Sequence, residues 1–274
     1  MRKFFFFTII AAYFSNTGFS QQTNDYVLLG QLYGTQTFGF FEKLKGKVME
    51  IRQTNYFTRE ENGKIVKVRI LTTEDRKTAP SGRDYFEEYN SSGTILKNGV
   101  LDENGRLLEY WDVDADSGKI LSAAYYTNDI LRANIRTRYN GTNLEEVVYL
   151  IPGTEVQIKR VLIGYDQNGN RIKYQFFNNM NQLTFINEYI YNDKGNLVVF
   201  NVYSNTGQQT EVYRYTYNDK GIKLTQHQET YQNGDTRDYR FEYEYDNFGN
   251  YIKVIFIKDN EPIIYRERQI KYFY

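Results

Sequence analysis

The hydrophobic pattern alternates with a period of two over short runs, and small polar clusters interrupt it at regular intervals. From Tyr239 to Tyr245 the odd positions are Tyr, Phe, Tyr and Tyr, and the even positions are Arg240, Glu242 and Glu244. Side chains alternate across a strand, so this run predicts an aromatic row on one face and a charged row on the other. The stretch Tyr189 to Leu197 adds the punctuation: Tyr-x-Tyr, then Asn192, Asp193, Lys194 and Gly195, then an apolar β-branched run to Tyr203. Asn or Asp suits the first position of a type I turn, and Gly suits the left-handed position that closes it. The same arrangement recurs around Gly169, Gly221 and Gly249, giving repeats of 26, 26 and 28 residues.

From Tyr85 onward, turn signals fall at Gly93, Gly105, Gly118, Asp129, Gly141, Gly153, Gly169, Asn181, Gly195, Gly207, Gly221, Gly234, Gly249 and Asn260. Each full repeat is thus two strands and two turns. Upstream, Lys43 to Tyr56 predicts a strand, which Glu61 to Gly63 turns back into Ile65 to Leu71. Thr73 to Arg83 is a polar loop insertion. No window carries helical periodicity. Roughly 18 strands are expected, well beyond the ten or so that an open twisted sheet tolerates before curling. The predicted fold is therefore all-β: a long antiparallel β-meander of hairpin repeats, forming a curved or coiled sheet.

Composition agrees with that reading. Aromatic residues make up 17% of the chain, with 27 Tyr and 19 Phe, and such residues favour a pleated, half-buried surface. Lys and Arg number 34 and so do Asp and Glu, so no basic excess points to nucleic acid or an anionic membrane. Arg2 and Lys3 precede an apolar run, Phe4 to Phe14, too short to span a bilayer. Residues 1–20 read as a signal peptide cleaved before Gln21, with no transmembrane segment expected after cleavage. Residues 21–42 read as a linker or a cap for the first strand, and 43–274 as the repeat domain. The chain has no Cys, which excludes disulfides and thiolate chemistry.

The pattern resembles the Rhs/YD-repeat family: a Gly, a strand ending Tyr-x-Tyr-Asp, then x-x-Gly-Asn and an apolar strand. Gly234 to Asn250 carries it most fully, and Gly153 to Asn170 and Gly207 to Gly221 less so. The repeats from Gly93 to Gly141 look equally like MORN-variant repeats. The resemblance implies a coiled β-sheet on an exported or surface protein, in a small stand-alone secreted form, and a scaffold rather than a defined site.

Site chemistry is sparse. His227, the only histidine, sits on a predicted strand with no nucleophile singled out beside it, so it reads as an exposed strand residue. Asp112, Asp114 and Asp116 resemble the start of a calcium loop. The Gly comes one position late, at 118, and Ala123 stands where the bidentate Glu belongs, so a solvated turn is expected instead. Glu87 with Glu88 and Glu145 with Glu146 are adjacent pairs, which a strand sends to opposite faces. Trp111, the sole Trp, with Tyr110 beside it, is the candidate for stacking on a glycan.

These readings predict an exported, non-enzymatic scaffold of the cell envelope or surface, needing no cofactor and binding a glycan or an envelope protein. The alternatives are a dedicated carbohydrate-binding module and a self-associating protein that pairs through an uncovered end strand, Tyr265 to Tyr274.

Overall fold

Local turn chemistry builds the hairpins. In the turn from Asp166 to Asn170, the Asp166 carboxylate accepts backbone N–H bonds from Asn168 and Asn170, at 2.9 and 2.8 Å. The Asn192 carboxamide oxygen does the same for Lys194 and Asn196, at 3.0 and 2.9 Å. Asn90, Asp102, Asn178, Asn218 and Asp246 repeat the arrangement in their own turns. Gly195 closes its turn at φ 78°, a left-handed conformation that a Cβ would penalise. Three other hairpins, at Asn62–Gly63, Asn128–Asp129 and Asp259–Asn260, place two consecutive residues at positive φ. That is the two-residue turn whose twist matches the flanking strands.

The computed structural model describes residues 44–72, 74–75, 84–116, 119–141, 143–231 and 234–274. The expected signal peptide and the 21–42 segment lie outside the described residues, as does most of the Thr73 to Arg83 loop. The strands are β1 (Val48–Glu61), β2 (Lys64–Ile70), β3 (Tyr85–Tyr89), β4 (Ile95–Leu101), β5 (Leu107–Asp116), β6 (Lys119–Thr127), β7 (Ile130–Asn140), β8 (Asn143–Leu150) and β9 (Gln157–Tyr165). They continue with β10 (Arg171–Phe177), β11 (Leu183–Tyr191), β12 (Leu197–Ser204), β13 (Gln209–Tyr217), β14 (Lys223–Thr230), β15 (Asp235–Tyr245), β16 (Tyr251–Lys258) and β17 (Glu261–Tyr272). Each turn signal read from Gly93 to Asn260 falls between two consecutive strands.

The sheet closes, and this corrects the expectation of a curved or coiled open meander. From β3 to β17 each strand pairs antiparallel with the next. β1 then bridges the two ends. It pairs with β17 from Val48↔Tyr272 to Phe57↔Ile264, and with β3 from Glu50↔Glu88 to Gln53↔Tyr85. Of the 17 strands, β2 pairs only with β1 among the described residues, so the other 16 form a closed antiparallel barrel. Closure satisfies backbone groups that an open sheet would leave bare at both ends. The end strand expected to be uncovered, Tyr265 to Tyr274, is therefore paired with β1 over most of its length. The edge on which self-association was argued is taken.

On most strands of the ring the apolar face points inward. Ile51, Trp111, Tyr149, Val161, Phe200 and Tyr213 are each 1% exposed or less. Such exclusion means that side chains, not water, fill the barrel. Two apolar clusters share the interior, one running from β1 and β3 round to β13, the other formed by Leu71, β15, β16 and β17. A polar layer separates them where the ring closes. On β1, Ile51 belongs to the first cluster and Phe57 packs on the second, with buried Gln53 and Asn55 between. On β17, Ile264 and Ile270 flank buried Arg266 and Arg268 in the same way.

The buried polar groups are tied together, as burial requires. Asp84 Oδ1 accepts from the Asn55 backbone N–H and from Asn55 Nδ2, both at 2.8 Å. Arg266 Nε donates to Asn55 Oδ1 at 3.0 Å, and Arg268 Nε to Gln53 Oε1 at 3.3 Å. Arg268 also bonds the Tyr85 hydroxyl and lies 3.6 Å from the centre of the Tyr251 ring. β1 makes only four pairs with β3, and this clasp of side chains reinforces that short ladder.

Candidate functional site

With the inward face packed, the outward face of the barrel is the one open to solvent. One concavity on it is an open groove of about 860 Å³ at one rim, between the β9–β10 and β11–β12 hairpins. Two turns form its upper wall, with Asp166, Asn168 and Asn170 on one side and Asn192, Asp193 and Lys194 on the other. Below them Ile172 and Ile190 stand 37% and 49% exposed, an apolar floor. Lys173 Nζ donates to Glu188 Oε1 at 3.0 Å and closes the lower end. The bulge between Arg171 and Lys173 makes this geometry: Arg171 turns inward and is buried while Ile172 turns outward. Tyr191 turns its hydroxyl to the Arg171 carbonyl at 3.0 Å, which ties the two hairpins together, and burial pushes its phenol pKa up.

Chemically the groove offers a hydroxyl-rich ligand several hydrogen-bonding groups around two aliphatic side chains. Asp166 and Asn192 spend their acceptors on their own turns. Asn168, Asp193 and Lys194 carry the groove's outward polarity. Sequence reading missed this site. The turn repeats were visible, but the bulge that re-aims Ile172 was not.

The residues singled out from sequence sort differently. Trp111 is fully buried and stacks on Tyr125 with ring centres 4.9 Å apart, inside the barrel. It offers no face to an external glycan, which corrects its proposed stacking role. Tyr110, its neighbour, points to the outer wall, where it stacks on Tyr126 at 4.8 Å and donates to Asp129 Oδ1 at 3.1 Å. Alternation along β5 therefore splits the pair across the sheet, and the two rings cannot form one platform.

Asp112, Asp114 and Asp116 lie on β5 itself, paired opposite Ala124, Ser122 and Lys119. An extended strand spaces alternate residues roughly 6–7 Å apart, too far for three carboxylates to converge on one ion. Asp112 forms an ion pair with Lys97 at 2.9 Å. The turn residues 117 and 118 lie outside the described residues. His227 is on β14, on the outer wall as expected, with Nδ1 2.8 Å from Asp238 Oδ1 across the ladder. Glu87 points inward, where it accepts from the Tyr89 hydroxyl at 2.7 Å, and burial raises its carboxyl pKa. Glu145 and Glu146 depart from the expected alternation. A bulge opposite Arg138 and Tyr139 lets both carboxylates reach the Arg138 guanidinium, at 2.8 and 2.9 Å.

No family model matches the chain, and no curated protein matches it. Among solved structures, a porin-like protein from Bacteroides vulgatus is 10% identical with a TM-score of 0.46, covering 82% of this chain and 98% of that one. A porin-like protein from Bacteroides uniformis is 7% identical with a TM-score of 0.35, covering 83% and 99%. Neither likeness is close enough to carry an argument. The resemblance to the Rhs/YD-repeat family, with its MORN-variant extension, is corrected on two grounds: no repeat-family model matches, and the repeats close into a 16-strand ring rather than coil as an open sheet.

Proposed function

We propose that this protein is an exported, water-soluble, non-enzymatic barrel of the cell envelope or surface that acts as a binding scaffold. One observation carries the reading: the barrel is packed and mostly apolar inside, and charged outside. Glu50 and Arg52 on β1, Arg136 and Arg138 on β7, and Arg240 and Glu244 on β15 all point outward. A barrel that spans a bilayer needs an apolar outward band, and one Lys or Arg at its midplane costs roughly 2–4 kcal/mol. Charges on strands all round the wall make that cost prohibitive, and a filled interior leaves no channel.

The partner is a glycan or an envelope protein, and the rim groove around Ile172 and Ile190 is its first candidate seat. The test has two arms. Purified protein without detergent, mixed with phospholipid vesicles and floated, is expected to stay in the aqueous fraction and to give no conductance steps in a planar bilayer. Detergent-dependent solubility or channel steps would overturn the reading. A glycan array with the wild type and the Ile190→Arg variant examines the groove. Selective binding lost in the variant supports a glycan there, whereas binding unaffected by the variant removes the groove from the account.

A further inference from the structure

The repeat sets a tyrosine at the last inward position of successive odd-numbered strands. Tyr139 on β7, Tyr165 on β9, Tyr191 on β11, Tyr217 on β13 and Tyr272 on β17 all stand at the rim where β1 begins. The five are half-buried and pack on the apolar cluster inside the ring. Their hydroxyls are spent on the wall. Those of Tyr165, Tyr191 and Tyr217 donate to the carbonyls of Leu144, Arg171 and Leu197, at 2.7, 3.0 and 2.6 Å. That of Tyr139 accepts from the Ile120 N–H at 3.0 Å, and that of Tyr272 bonds the Asp246 carboxylate. What these rings turn towards the mouth of the barrel is therefore carbon, an apolar surface that gains by being covered.

The chain leads directly onto this surface. Just before β1, Lys45 is held by both of its backbone groups. Its N–H donates to Asn250 Oδ1 and its carbonyl accepts from Asn250 Nδ2, both at 2.7 Å. Asn250 is itself buried. Beyond this clamp, Leu44 packs on the same cluster as the five tyrosines. Residues 21–43, which lie outside the described residues, thus join the barrel at the mouth. Their composition suits an apolar seat. In a chain that is 25% charged, no residue between Asp25 and Glu42 carries a charge, and Tyr26, Leu28, Leu29, Leu32, Phe38 and Phe41 are large and apolar. Their reach suffices as well. A round ring of 16 strands, about 4.8 Å apart and tilted by about 40°, is roughly 30–35 Å across. Residues 21–43 when extended span up to roughly 75 Å.

We propose that residues 21–43 lie across this mouth as an intramolecular plug, with their uncharged stretch seated on the tyrosine ring. The surface is filled by this chain itself rather than by a ligand or a second copy. This goes beyond the scaffold reading and does not depend on the rim groove, which lies on the outer wall.

The experiment places the photo-crosslinking amino acid p-benzoylphenylalanine at Leu32 of the purified protein, and peptide mass spectrometry locates the adducts. Intramolecular adducts are expected on the mouth tyrosines, Tyr165, Tyr191 or Tyr217. Adding Leu28→Asp and Leu29→Asp should cut them at least about tenfold, because burying an unpaired carboxylate is costly. The same double substitution should raise the fluorescence of anilinonaphthalene sulfonate as the rings are bared, while circular dichroism shows the barrel still folded. Adducts on Ile172 or Ile190 would overturn the proposal by putting the segment in the outer groove. Adducts between two molecules would overturn it by making the occupant a second copy, and an absence of adducts would overturn it outright. The adduct map is read on the protein with the probe alone, so it decides the matter even where the double variant fails to fold. It is also independent of the vesicle and glycan results, so a failure here is distinguishable from a failure of the scaffold reading.

Discussion

Removing the Asp84 carboxylate should loosen the barrel where its ends meet. Asp84 Oδ1 accepts two hydrogen bonds of 2.8 Å from Asn55, and both residues are buried, at 2% and 0% exposure. Asp84→Ala strands the Asn55 backbone N–H and one carboxamide N–H away from water, at roughly 1–3 kcal/mol for each unsatisfied donor. With some relaxation, a loss of about 2–4 kcal/mol is expected, a large part of the ~5–15 kcal/mol that a fold of this kind has in total. Asp84→Asn keeps an acceptor in place and should cost only about 1 kcal/mol. Asp102→Ala is the control. Its carboxylate also accepts two backbone N–H bonds at 2.8 Å, from Asn104 and Arg106, but in an exposed turn where water can replace it. That loss should stay near ~1 kcal/mol or below. Urea unfolding followed by the fluorescence of the single, buried Trp111 gives all three values. Hydrogen exchange should place the largest change at Asn55 and along the β1–β3 ladder. Equal losses for Asp84→Ala and Asp102→Ala, or a loss under about 0.5 kcal/mol for the former, would refute the claim that buried polar bonds hold the closure.

Other outcomes follow from the same geometry. Trp111→Ala should destabilise by about 3–5 kcal/mol as a large core deletion, whereas Tyr110→Ala, on the outer wall, should cost far less; comparable losses in urea would contradict the inward and outward assignments. Asn192→Ala removes the acceptor for two backbone N–H groups in an exposed turn and should cost about 1 kcal/mol, seen as a lowered urea midpoint with an unchanged slope. Burial lowers the Lys159 pKa from 10.5 to about 7. Below pH 7 the folded protein therefore carries the full penalty of a buried ammonium, and the penalty fades as pH rises from 7 towards 10.5. Lys159→Met should thus be more stable than the wild type at pH 6, by a few kcal/mol at most, and the gap should narrow by pH 10. A gap that does not change with pH would count against a buried amine there.

Much of the local structure is legible without coordinates. The period-two rows placed Tyr239, Phe241, Tyr243 and Tyr245 on the inner face and Arg240, Glu242 and Glu244 outside, and the strand and its burial agree. The Asn/Asp-x-x-Gly turns were readable because each is a closed system of bonds within five residues. His227 fell on the outer strand face for the same local reason. The failures share a cause too. Trp111 was read by its chemistry, but its face depends on the register of β5 against its neighbours. Glu145 and Glu146 were separated by ideal alternation, which a bulge cancels.

The sequence by itself determined the strands, the turns, the all-β class and the division of most strands into an apolar and a charged face. These depend on interactions between residues near one another in the chain, so periodicity carries them. Only the tertiary structure decided that the meander closes, that β2 is left outside, and that a polar layer seals the join. The pairing of β1 with β17 joins residues some 200 positions apart. Nothing periodic encodes that contact; it follows from summed strand twist and from a few buried partners, Asn55, Asp84 and Arg266, whose polarity makes sense only once the ring has brought them together.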